Sequence, residues 1–346
     1  MQITCGNLTK RSKVRCWPLA DPLNPCEDML SWLWLRISVW IVLTTALVGN
    51  TIVLLVLATT SRDRSLPRML MSHLATADFS MALYLLLLAI MDLISADQYF
   101  NYATTWQIGS GCKVAGFLTV FSSQLSLFTL SLLTIERWFA IRHALRSPLL
   151  NVSRACRIMI IGWIYSIIMA ALPLFGVSSY SATSICLPMD THDLASVIYI
   201  LVLLGGAAVA FIVMCVCYVQ IYFSLSYETR HMKKGEGNIA RKITILVLTN
   251  LVCWAPVAFF SLTAVAGYPL INVTQSKILL VFIYPINSCA NPYLYAILTK
   301  QFRRDFLLLL TRSSICSRLA EKYKDGYSRP TGNGTPAALL TTDTYV

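Results

Sequence analysis

The chain has 346 residues, 56% of them hydrophobic and only 13% charged, with a formal net charge of +12 and a mean hydropathy of +0.64. These values exclude an ordinary soluble domain. The basic excess is not a nucleic-acid footprint, because it falls in alternate connections between apolar segments.

Residues 1–31 open with Met1-Gln-Ile-Thr-Cys5, which lacks the apolar core of a signal peptide. Cys5, Cys16 and Cys26 form an odd set of thiols that cannot all pair internally. Asn7 begins a glycosylation sequon, as do Asn151, Asn272 and Asn333.

Seven apolar segments follow, at 32–58, 68–92, 113–140, 156–176, 195–223, 241–265 and 278–298. Each is long enough to cross about 30 Å of hydrocarbon as a helix. Most lack the polar stripe that a soluble helix would show. The first carries Asn50, and the second places Asp78 mid-segment in Leu74-Ala-Thr-Ala-Asp78. The third starts beside Cys112, carries Ser126 and ends in Glu136-Arg137-Trp138. Cys186 stands in the connection after the fourth, on the same side as Cys112, where a disulfide can form and persist. The fifth contains Tyr218 and no proline. The sixth contains Cys253-Trp254-Ala255-Pro256, whose proline predicts a kink and a possible hinge. The seventh runs through Tyr284-Pro285-Ile286 into Asn287-Ser-Cys-Ala-Asn291-Pro292-Tyr-Leu-Tyr295.

Polar groups at membrane depth cost several kcal/mol each when unsatisfied, so they are expected to partner one another. Asp78, Asn50, Asn287, Asn291 and Ser126 are expected to form one polar site able to hold water or a sodium ion. A neutral, hydrogen-bonded Asp78 is the simpler alternative.

Arginine and lysine set the orientation. Arg62, Arg64 and Arg68, then Arg142, Arg146, Arg154 and Arg157, then Arg230, Lys233, Lys234, Arg241 and Lys242 mark one side, joined by Lys300, Arg303, Arg304 and Arg312 of the tail. The opposite connections offer only Lys113 and Lys277. The N-terminus is therefore expected outside and the tail inside, although Lys10, Arg11, Lys13 and Arg15 run against the rule. That topology leaves Asn7 and Asn272 as the candidate glycosylation sites.

Beyond the seventh segment, Phe302-Arg-Arg-Asp-Phe306-Leu-Leu-Leu-Leu310 has the basic and apolar faces of a membrane-surface helix, assigned to 300–312. Cys316 is either a palmitoylation site or a free thiol. Ser, Thr and Gly dominate 327–346, and the tail at 313–346 is expected to be largely disordered. Its terminal Thr344-Tyr-Val346 fits a PDZ ligand, which adds a strand to a sheet edge.

Three of these motifs carry a resemblance. Asn291-Pro292-x-x-Tyr295, Glu136-Arg137-Trp138 and Cys253-Trp254-Ala255-Pro256 resemble the NPxxY, D/E-R-Y and CWxP motifs of rhodopsin-like G-protein-coupled receptors. The Glu-Arg-Trp wording, Tyr284-Pro285-Ile286 and Asn24-Pro25-Cys26-Glu27-Asp28 resemble the glycoprotein-hormone branch of the leucine-rich-repeat receptors, over residues 24–325. Vertebrate members of that branch carry Met where Trp254 stands and Asp where Asn250 stands, so the invertebrate thyrostimulin-type receptor is the nearest resemblance. A bursicon-type receptor is the runner-up.

The resemblance implies an all-α seven-transmembrane bundle at 32–299, preceded by a hinge remnant at 1–31 without leucine-rich repeats. The orphan cysteines suggest a missing front end, and a truncated isoform that pairs with a full-length receptor is the alternative. Implied partners are a cystine-knot hormone heterodimer, a heterotrimeric G protein that stimulates adenylate cyclase, and arrestin, at the plasma membrane. By resemblance Arg137 is held by Glu136 or Glu236 until activation, and Leu145 enters the G protein. Tyr218, Trp254 and Pro256 act in the switch, and Lys277 links the hinge to the bundle, with Glu27 and Asp28 as charge partners. Rhodopsin-like receptors also bind sodium at the position of Asp78. No nucleophile, nucleotide or metal-ligand constellation suggests an enzyme, and no internal repeat suggests a transporter.

Overall fold

The structure, a computed structural model, describes residues 28–30, 32–59, 65–142, 150–190, 192–228, 278–298 and 300–312, with single residues and short stretches between 249 and 270. Among the described residues there are helices and turns but no strands.

In chain order the helices are α1 (Leu33–Thr59), α2 (Leu66–Ile94), α3 (Tyr99–Ile108), α4 (Ser110–Arg142), α5 (Val152–Ala171), α6 (Leu194–Glu228), α7 (Tyr284–Leu298) and α8 (Lys300–Arg312). Five of them, α1, α2, α4, α5 and α6, are long and apolar enough to cross a membrane. A π-helical turn at Ile278–Ile283 leads into α7, directly before Pro285, which cannot donate to a regular helical ladder. Of the expected sixth segment, 252–257 and 259–260 are described and are helical.

The ends of these helices follow local chemistry. Pro67 sits in the first turn of α2, where its missing N–H costs nothing. Asn151 caps α5 by accepting a hydrogen bond from the Arg154 amide at 2.9 Å. The fourth segment does not run on to 176 as one helix. Instead α5 ends at Ala171, a 3₁₀ turn covers Leu172–Phe175, and Gly176 closes it at φ 89°. Pro173 breaks the α ladder there, and the positive φ suits glycine. The short helix α3 was not expected. It lies in what reads as a plain connection, because its sequence has no strong apolar period.

Helix α4 is the central element, packing against α2, α3, α5 and α6, while α7 lies on α1 and α2. Two close approaches depend on glycine. A Cβ at Gly162 would fall 2.4 Å from the Phe128 ring, and one at Gly49 would meet the Pro292 ring at 3.0 Å. Leu35, Val39, Leu43, Leu85 and Leu88 pack one core cluster, and Leu125, Val120, Met159 and Tyr199 belong to a second. The outward surface is apolar too, with Ile160, Ile164, Val209, Ile212 and Val216 exposed as a lipid-facing bundle requires. Helix α8 belongs to a separate unit that begins at Lys300, and it exposes Arg303 and Arg304.

Candidate functional site

The buried polar residues fall on three levels of the bundle. At mid-depth Asp78 is fully buried, and Asn291 Nδ2 donates to its Oδ2 at 2.7 Å. One helix away, Asn50 Nδ2 donates to the carbonyls of Ala46 and Ser288, both at 2.9 Å. The second bond has a clear cause. Pro292 has no N–H, so the Ser288 carbonyl four residues earlier loses its helical donor, and Asn50 supplies one. Ser122 Oγ ties α4 to α2 by donating to the Ala77 carbonyl at 2.7 Å. Asn287 and Ser126 are buried as well.

This level fits a small hard cation or ordered water. Asp78 Oδ1, Ser126 Oγ, Asn287 Oδ1, Asn50 Oδ1 and Asn291 Oδ1 are buried without a protein hydrogen-bond partner. All five are oxygens, the donor type such ions take. Ser126 was expected as a member of this polar site, and its hydroxyl bonds to no protein group. Ser122 and Ser288 are the ones that tie α4 and α7 to their neighbours. Ser288 could have been found by counting four residues back from Pro292.

Toward the Arg-rich side, Arg137 Nε lies 3.3 Å from Glu136 Oε2. Two links between α4 and α6 flank it. The Thr134 and Tyr218 hydroxyls are 3.0 Å apart, and Trp138 Nε1 donates to Gln220 Oε1 at 2.7 Å. Tyr218 and Trp138 were singled out from the sequence, but Thr134 and Gln220 were not. Higher in the bundle the Trp254 ring meets Tyr284 of α7 edge-on, with centroids 4.9 Å apart. Pro256 follows in the same helical stretch, and Tyr295 lies one turn after Asn291 in α7.

At the opposite end Cys112 and Cys186 form a disulfide with their Cα atoms 5.3 Å apart. The loop it anchors is pinned twice more. Tyr84 donates to the Ile185 carbonyl and Trp106 Nε1 to the Ser184 carbonyl, both at 3.0 Å. Helix α3 therefore has a purpose that its sequence hides, since it carries Trp106 to the loop.

The turn before α1 is bound to the same end. Arg36 bridges Asp28 and Asp92, each at 2.8 Å, through different guanidinium nitrogens. Asp92 Oδ1 accepts from the Leu30 amide at 3.0 Å, and Asp28 accepts from the Asp97 amide at 3.1 Å. Met29 and Leu30 are buried. Asp28 thus pairs with Arg36, while its expected partner Lys277 lies outside the described residues. The turn folds back onto α1 and α2, which puts the nearest guanidinium within reach. Arg36 and Asp92 were missed, although two opposite charges at the outer ends of neighbouring apolar segments were a readable signal. Glu27, Lys277, Leu145, Glu236, Cys316, Asn7, Asn272 and Thr344–Val346 lie outside the described residues.

The description "7 transmembrane receptor (rhodopsin family)" matches residues 49–295. The chain belongs to the rhodopsin family of seven-transmembrane receptors. It is thus a multi-pass membrane receptor rather than an enzyme. It is 48% identical over 312 residues to the lutropin-choriogonadotropic hormone receptor of Mus musculus, covering 90% of this chain and 45% of that protein. It is 47% identical over 310 residues to the thyrotropin receptor of Felis catus, covering 89% of this chain and 41% of that one. The chain therefore spans less than half the length of these curated relatives. Squid rhodopsin shares the fold, with a TM-score of 0.63 at 21% identity over 86% of this chain and 91% of that one.

Proposed function

We propose that the chain is the transmembrane signalling part of a receptor for a cystine-knot glycoprotein hormone. The observation that carries this reading is the 48% identity to a lutropin-choriogonadotropic hormone receptor across 90% of the chain. Trp254 and Asn250 favour an invertebrate thyrostimulin-type receptor within that class. The Lys/Arg distribution supports an outer N-terminus and an inner tail in the plasma membrane.

In this reading the hormone engages a leucine-rich-repeat ectodomain, and the 28–30 turn carries its movement into the bundle. The turn suits that role because Arg36 and Asp92 hold it to both α1 and α2. A pull on Asp28 is felt by two helices at once. At the far end activation frees Arg137 from Glu136 and rearranges the α4–α6 links at Tyr218 and Trp138. A heterotrimeric G protein that stimulates adenylate cyclase then binds, and arrestin follows. This is a population shift between two packings, biased by differential contacts. A sodium ion at mid-depth would supply positive charge to the Asp78 carboxylate, and the oxygens of Asn50, Ser126, Asn287 and Asn291 would complete its shell. Those groups then favour the packing that keeps α7 close to α1 and α2.

The test is cyclic AMP in cells expressing the chain alone and joined to a leucine-rich-repeat ectodomain, with surface display measured in parallel. A hormone-dependent rise is expected from the joined form. A displayed, hormone-binding receptor that leaves cyclic AMP flat overturns cyclase coupling, whereas failure to bind any cystine-knot hormone overturns the ligand class.

A further inference from the structure

Beside the disulfide-anchored loop lies a polar cavity of about 310 Å³. It sits among the start of α4, the end of α5, the loop and the start of α6. Most of its polar lining is already engaged. Ser196 Oγ donates to the Val177 carbonyl at 3.0 Å, Tyr180 to the Ala170 carbonyl at 2.8 Å, and Ser179 and Ser181 bond to each other.

Four groups remain for a ligand. Lys113 makes no ion pair among the described residues, and Asp190 and Asp193 bring two carboxylates to the same cavity, the first with its Oδ1 already accepting from the His192 amide at 3.1 Å. Ser178 is only 5% exposed, and its hydroxyl has no hydrogen-bond partner. A buried hydroxyl without a partner is costly, so its place in the cavity wall points to a polar ligand.

A second hollow, also about 310 Å³ and wholly apolar, adjoins the first. The two alternate along the same backbone. Pro173, Ser178 and Ser196 line the polar cavity, while their neighbours Leu172, Val177 and Ala195 line the apolar one. From Asp193 the apolar lining continues along α6 through Ile198 to Val202, a descent of about 13 Å at 1.5 Å per residue. Ile198 and Val202 are about half exposed, on the surface that faces lipid. The hydroxyl of Tyr199 in this hollow is spent on the Met169 carbonyl at 2.9 Å, so nothing polar is offered there.

We propose that these two hollows form one binding site for a zwitterionic phospholipid with a primary ammonium headgroup, phosphatidylethanolamine. Its phosphate meets the Lys113 ammonium and the Ser178 hydroxyl. Its ammonium, with three N–H donors, meets Asp190 and Asp193. One acyl chain lies along Leu172, Val177, Ile198 and Val202. The charge pattern selects the headgroup. An anionic phosphatidylglycerol would set its charge near two carboxylates with nothing for them to accept. Phosphatidylcholine has a quaternary ammonium that cannot donate to them. The site is independent of the hormone reading, since it uses neither the 28–30 turn nor the mid-bundle residues.

The experiment is native mass spectrometry of the purified, delipidated full chain with equal amounts of palmitoyl-oleoyl phosphatidylethanolamine, phosphatidylcholine and phosphatidylglycerol. Phosphatidylethanolamine should be retained about tenfold over the other two, the worth of one charge-assisted hydrogen bond. Lys113→Gln and Asp193→Asn, both at exposed positions, should each erode that preference, and Ile198→Trp should lower retention of all three lipids. Thermal melting of each variant confirms folding, and three independent positions guard against any one failing. Equal retention of the three lipids overturns the proposal, as does a preference unchanged in both charge variants. Displacement by an equal concentration of glycerophosphoethanolamine, which has no acyl chain, overturns the apolar half of the site.

Discussion

Asn50 of α1 and Pro292 of α7 are partners although they share no hydrogen bond. The proline strips the Ser288 carbonyl of its helical donor, and the Asn50 amide replaces it at 2.9 Å. The same device recurs at Pro173. Its missing N–H exposes the Met169 carbonyl, which accepts from Tyr199 of α6 at 2.9 Å. In lipid no water is present to repair such a break, so each proline commits a side chain from another helix.

Asn50→Leu should therefore destabilise the receptor by about 1–3 kcal/mol, the cost of leaving a buried carbonyl unpaired. Combined with Pro292→Ala, which restores the helical donor, the loss should shrink to well below the sum of the single effects. Thermal melting of the purified single and double variants reads this directly. Additive losses would show that Asn50 acts elsewhere.

Tyr199→Phe tests the second case by removing one hydroxyl and leaving the ring packed. A loss of about 1–3 kcal/mol in the same assay is expected, because the Met169 carbonyl stays buried without a donor.

Arg36 bridges two carboxylates, and Asp92 is almost wholly buried. Arg36→Ala should cost about 3–5 kcal/mol, since it strands a buried charge. Arg36→Lys should recover only part of this, because a single ammonium cannot reproduce the two-pronged contact. Adding Asp92→Asn to Arg36→Ala should restore stability. Proteolysis of the segment ahead of Leu30 gives a second readout, with faster cleavage expected when the turn is released.

A sodium ion held by the mid-bundle oxygens would make stability depend on sodium. Replacing sodium chloride with choline chloride at constant ionic strength should lower the melting temperature of the unmodified chain. In Asp78→Asn the two salts should give the same value, since the carboxylate charge that would hold the ion is gone. A sodium effect that persists in Asp78→Asn places the ion elsewhere.

Glu136 is the described carboxylate beside Arg137, 3.3 Å away. Under the proposed coupling, and in the form joined to a leucine-rich-repeat ectodomain, Glu136→Gln should raise hormone-independent cyclic AMP in cells, and Arg137→Ala should abolish the response to hormone at equal surface display.

The membrane-spanning fold was legible because its signals are local. Runs of apolar residues report solvent without reference to any contact, and the alternating basic connections supported one orientation. The buried polar residues at Asn50, Asp78, Asn287 and Asn291 stood out for the same reason, as costly exceptions in apolar surroundings. Their pairing was not legible. That Asn291 takes the carboxylate while Asn50 takes a backbone carbonyl depends on how α1, α2 and α7 rotate against one another.

Helix α3 and the Asp28–Arg36–Asp92 clamp stayed hidden for a related reason. Each is weak as a local pattern and gains meaning only when the chain brings Trp106 to the loop, or a guanidinium between two acids. Hydrophobicity and spacing determined how many times this chain enters the membrane and which residues are too polar to be there by chance. Only the tertiary structure decided which of them meet, because a hydrogen bond is set by a few tenths of an ångström between helices far apart in sequence.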